Sequence, residues 1–130
     1  MKLILAMTFL FSFNLFADDF TIKFCTQDKT GSVNVVRVGD SFNEEWTVDE
    51  ESQTFNYAIV EEGSIKSEDN LKFLSSQSGA EIIDAMAFKL ENKEDSEDKT
   101  KSILGFTKDD IHLFEGSSAD YAGSMNNCTK

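Results

Sequence analysis

From Phe20 onward the chain is written in short runs of period two, rich in Phe, Val, Ile and Thr and separated by clusters of Gly, Asp, Asn, Ser and Glu. That rhythm predicts antiparallel strands joined by hairpins. Phe20, Ile22 and Phe24 fall on one face, with Thr21, Lys23 and Cys25 on the other, so Cys25 is expected outside. A turn at Asp28-Lys29-Thr30-Gly31 leads into Val33 to Val38. Trp46 with Val48 follows, then Phe55, Tyr57 and Ile59 before a turn signal at Glu62-Gly63. Later strands are expected at Leu71 to Ser75, Ile103 to Thr107, Ile111 to Phe114 and Tyr121 to Cys128.

One stretch fits two patterns. Ser78-Gly79-Ala80-Glu81 matches a helix capping box, and Ile82, Ile83, Met86, Ala87 and Leu90 follow helical spacing. The same residues alternate, with Ile82, Asp84, Met86, Phe88 and Leu90 on one side, and the neighbouring strands favour that extended reading. Glu91 to Lys101, where acids interleave with Lys93, Lys99 and Lys101, reads as a solvated loop. The fold expected is mainly β: an antiparallel meander of about eight strands closing as a small barrel or sandwich, with one helix over residues 79–91 as the alternative.

Met1 to Ala17 carries an early positive charge at Lys2, an apolar run from Leu3 to Phe16 and a small residue at Ala17, the pattern of a cleaved signal peptide. The run is shorter than the roughly 20 residues of a spanning helix, so no membrane span is expected after cleavage. The expected organisation is a signal peptide at 1–17 and one exported domain at 18–130, periplasmic or secreted. Export places Cys25 and Cys128 in an oxidising compartment, where two thiols normally pair. A bridge across a loop of about 100 residues is worth about 4.7 kcal/mol on the chain-entropy account. Asn127-Cys128-Thr129 also matches the glycosylation acceptor pattern.

Charge narrows the function. The chain holds 12 Lys plus Arg against 24 Asp plus Glu, a formal charge of -12. Removal of residues 1–17 takes away Lys2 and no acid, which leaves the mature chain one unit more negative. A nucleic-acid partner needs clustered Lys and Arg, and the sequence offers none. A cationic protein partner suits this charge, because complementary fields speed encounter and discriminate between partners. Acidity equally serves solubility.

Candidate chemistry is sparse. Glu44 with Glu45, Asp49 to Glu51, Glu61 with Glu62 and Asp109 with Asp110 are acidic pairs in turn-like settings, whereas a glycosidase needs one carboxyl raised by burial. A carboxylate-dependent hydrolase is therefore the weaker alternative to a non-catalytic binding or structural domain. No calcium-loop spacing, no Cys-x-x-Cys metal pattern and no phosphate-cradling glycine loop occurs, so no metal or cofactor is expected. His112 lies on an expected strand without a positioned nucleophile and reads as structural. Trp46, the one tryptophan, reads as core.

Ser76-Gln77-Ser78-Gly79-Ala80 resembles the Ser-Ala-Ser-Gly-Ala stretch of the periplasmic and membrane-bound inhibitors of C-type lysozyme. Four of these five positions are identical. The resemblance implies a small exported β-barrel with an early and a late Cys, whose Ser76, Ser78 and Gly79 enter the lysozyme cleft, with Lys89 or Lys93 as a basic contact. Glu81 and Ile82 stand where that family usually has a basic residue and Tyr.

Overall fold

Alternation along the chain does what period two demands: one set of side chains turns inward around a common axis and the other faces out. The computed structural model describes residues 19–26, 28–116 and 123–128. The signal-peptide reading of residues 1–17, Tyr121 and Thr129 lie outside the described residues.

Eight antiparallel strands close into a barrel in sequence order. They are β1 (Phe20–Cys25), β2 (Gly31–Val38), β3 (Ser41–Val48), β4 (Glu51–Ile65), β5 (Asp84–Asn92), β6 (Asp95–Phe106), β7 (Ile111–Gly116) and β8 (Gly123–Asn127). Closure rests on a short seam, Phe24 opposite Asn127 and Cys25 opposite Asn126. The Cys128 amide adds a hydrogen bond to the Lys23 carbonyl at 2.9 Å. Cys25 and Cys128 are disulfide-bonded there, with Cα atoms 5.2 Å apart. The barrel therefore joins first strand to last, as the sequence led us to expect.

Inside, Phe20, Phe24, Val33, Val35, Phe42, Phe88, Leu90, Leu104 and Leu113 form the main core. Phe42 and Phe88 rings lie 5.2 Å apart, and Phe20 meets Phe42 edge to face at 6.4 Å. Because strands alternate in direction, the β1–β2, β3–β4 and β5–β6 turns lie at one end of the barrel. The β2–β3 turn, the β4–β5 connection and the β6–β7 turn lie at the other.

Several sequence expectations need correction. Leu71 to Ser75 is not a strand but part of α1, Glu68–Ser78. Ser67 caps this helix by accepting the Asn70 amide, Glu68 and Asp69 favour the positive end of its dipole, and Gly79 ends it in the left-handed region at φ 76°. Leu71 and Leu74 then face the outside of the sheet, where Leu74 joins Ile82, Ala85, Ile103 and Phe114 in a second apolar cluster. The capping-box reading of Ser78 to Glu81 thus fails, since these residues close a helix instead of starting one. The helical alternative over residues 79–91 gives way to β5, whose Met86, Phe88 and Leu90 alternate into the core.

Glu91 to Lys101 is not an open loop either. It forms the β5–β6 hairpin, and its charges read as loop only because both faces are solvated beyond the barrel wall. Glu62-Gly63 is no turn: β4 runs 15 residues through it, with a register shift between Ile59 and Glu61. That length lets the first half of β4 pair with β3 and its second half with β5.

Candidate functional site

The inward set on β3 is Phe42, Glu44, Trp46, so strand periodicity carries a carboxylate into the barrel. On β6 the same rule turns Ser102 inward beside Leu104, and on β7 it turns Glu115 inward after Leu113. The three side chains meet inside the barrel. Ser102 Oγ lies 3.2 Å from Glu44 Oε2 and in short contact with Glu115 Oε2. Trp46 Nε1 donates to Glu44 Oε1 at 2.9 Å, which occupies the other oxygen. Glu44 is 1 % exposed and Ser102 is fully buried.

Burial pushes the Glu44 carboxyl up, against the opposing hydrogen bonds from Trp46, Glu115 and Ser102. Glu115 is raised further, first by burial and then by the charge of Glu44. Tyr57, on the neighbouring wall, is also pushed up by burial and by the charges of Glu44, Asp98 and Glu115. The interior guanidinium is committed elsewhere: Arg37 forms a two-point pair with Glu62. Among the described residues no cation counts among the causes that shift either carboxyl, so the upward push on both goes without a compensating positive charge. The hydrogen bonds from Trp46 and Ser102 leave neither Glu44 oxygen open to a substrate.

Sequence reasoning placed Glu44 with Glu45 in an exposed turn. The structure corrects this: Glu45 is exposed while Glu44 is among the most buried residues of the chain. The signal was present in the alternation Phe42, Glu44, Trp46, which puts Glu44 on the face of two aromatics. Glu115 carried the same signal after Ile111 and Leu113.

The other expected site residues fall in two places. Ser76, Ser78 and Gly79 sit together at the end of α1. Ser76 is exposed and its hydroxyl donates to the Phe73 carbonyl at 2.7 Å. Ser78 Oγ accepts the Ala80 amide at 3.2 Å, so its hydroxyl helps close the helix. Lys89 is exposed on β5 with Nζ 3.2 Å from Glu61, and Lys93, in the β5–β6 turn, donates to Ser41 Oγ at 2.6 Å. The lysines thus belong to the far part of β5, away from the helix end. His112 is buried on the outer face of β7, its Nδ1 without a hydrogen-bond partner among the described residues. It borders a surface recess of about 320 Å³ with Glu81, Ile83, Asp109 and Asp110.

Among the described residues no group of three His, Cys, Asp or Glu side chains could hold a metal ion, and no helix is long and apolar enough to cross a membrane. Neither a protein-family model nor a curated protein nor a solved structure matches this chain.

Proposed function

We propose that the chain is an exported, non-catalytic binding domain for a cationic protein, and that a C-type lysozyme or similar cell-wall hydrolase is the partner to test first. One observation carries this reading: the acids gather on hairpins that share one end of a rigid barrel. Asp49, Glu50 and Glu51 are exposed around the β3–β4 turn, and Glu94, Asp95, Glu97 and Asp98 are exposed on the β5–β6 hairpin. A concentrated negative field of this kind steers a basic partner and loses its pull as salt rises. The Ser76-Gln77-Ser78-Gly79-Ala80 resemblance supports a lysozyme as that partner and nominates the opposite end of the barrel, at the close of α1, as the contact.

A carboxylate-dependent hydrolase is the second reading, favoured by the raised Glu44 and Glu115. Against it, Glu44 is sealed from water with both oxygens engaged.

The test is inhibition of a C-type lysozyme by oxidised residues 18–130 at low and at physiological salt. Two variants accompany it: Ser76→Arg, on an exposed helix position, and the double variant Glu94→Gln with Glu97→Gln. Inhibition that survives physiological salt and falls in Ser76→Arg supports the helix-end contact. A fall in the double variant alone supports the acidic hairpin. Absence of inhibition at both salts removes lysozyme as partner and leaves the cationic class to be searched by pull-down at the two salt levels.

A further inference from the structure

A serine hydroxyl has one proton, yet Ser102 Oγ touches a carboxyl oxygen on each side. It can donate to one of them only. The other contact is a hydrogen bond only if that carboxyl itself carries a proton. One proton held on the carboxyl pair satisfies both contacts at once, which makes the singly protonated pair the arrangement this geometry suits.

We propose that Glu44, Ser102 and Glu115 form a proton-dependent latch that ties β3 and β6 to β7 through the barrel interior, holding these strands together while one proton is shared and loosening them when the proton leaves. With the proton on Glu115, Glu44 stays ionised and accepts from Trp46 Nε1 and from Ser102. Loss of the proton leaves two carboxylates on one hydroxyl, and like charges in contact beside the fully buried Glu44 and Ser102 repel strongly. β3 and β7 lie on opposite sides of an eight-strand ring, so this repulsion pushes outward on the wall.

The surroundings offer little relief. Among the described residues, β4 contributes the Tyr57 phenol, β6 adds Asp98, whose charge is felt at Tyr57, and β2 contributes Arg37, already held by Glu62 of β4. β1, β5 and β8 line the interior with Phe24, Leu90 and Met125, none of which titrates. Burial and the Glu44 charge both raise Glu115, which places the release above the ordinary carboxylate range. The latch adds to the binding role proposed above and does not depend on it.

Trp46 is the only tryptophan and donates directly to the latch, so its emission reports on it. Titration of that emission from pH 4 to 9 is expected to show a one-proton transition above the ordinary glutamate range, with a red shift on the alkaline side. Glu115→Gln, which supplies a permanent N–H donor, is expected to abolish the transition while keeping the acid-form spectrum. Carboxyl-carbon NMR of the unmodified protein gives a second reading that needs no variant: one Glu carboxyl should titrate well above all others. The proposal is overturned if every glutamate carboxyl titrates in the ordinary range, or if a folded Glu115→Gln protein keeps the transition. Should that variant not fold, the NMR titration decides alone.

Discussion

Arg37 and Glu62 meet in a two-point pair at 3.0 and 2.7 Å, joining β2 to β4 across the barrel. The guanidinium lies over the Phe88 ring at 5.6 Å and also donates to the Gly39 carbonyl. Removing the carboxylate leaves a buried guanidinium short of its partner. Glu62→Ala is expected to destabilise the fold by about 2 kcal/mol, below the full cost of a sealed pair because Glu62 keeps contact with water. Urea unfolding with an unchanged slope and a lower midpoint checks this.

Gly105 on β6 has no room for a side chain. A Cβ there would come within 2.8 Å of the Phe114 ring and 3.2 Å of Ile82. Gly105→Ala is expected to cost about 1–3 kcal/mol through overpacking of the cluster under α1. Phe114→Leu in the same chain should recover part of that loss, and thermal unfolding of the single and double variants measures it.

Gly79 presents the opposite case, with nothing within 4 Å and φ at 76°. Gly79→Ala is expected to cost about 1 kcal/mol from backbone conformation alone, and Gly79→Asn less. Equal losses for the two variants in denaturant melts would contradict this account.

Stability should fall as pH rises from the acid side. Glu115 binds its proton more tightly folded than unfolded, so its contribution is complete below the unfolded value and drains away as pH climbs toward the folded one. General repulsion in so acidic a chain adds to the slope. The decisive comparison is with Glu115→Gln, whose unfolding midpoint should vary less between pH 5 and 8. Asp28 acts in the other sense, since hydrogen bonds from Thr26 and Thr30 lower it and its contribution is lost only toward strong acid.

Reduction of the Cys25–Cys128 bridge should lower stability by about 2–4 kcal/mol, because the unfolded chain regains the freedom of a long loop. The oxidised protein should show no titratable thiol, as both cysteines are paired.

Much of the barrel was legible because a closed meander needs only local signals: alternation in each strand, Gly and Asp between them, and a Cys near each end. α1 was missed because its apolar face is two leucines, Leu71 and Leu74, and Phe73, the residue that made the stretch look extended, is half exposed. The cue was Ser67 followed by Glu68 and Asp69. The interior carboxyl pair was missed for a different reason. Glu44 and Glu115 are neighbours only because β3, β6 and β7 surround one interior, a relation between residues about seventy apart that no local pattern expresses.

The placement of the disulfide decides how the molecule bears tension. Everything from β2 to Cys128 lies within the covalent loop closed by Cys25 and Cys128. A pull applied outside that loop passes through the sulfur bond, so the ladders running from β2 round to β7 carry little of it. β1, which ends at Cys25, takes the load together with its ladders to β2 and β8, and its Phe20 and Phe24 are what a pull would draw from the core. The hairpins that bear the acidic residues lie inside the covalent loop and keep their shape under such a pull.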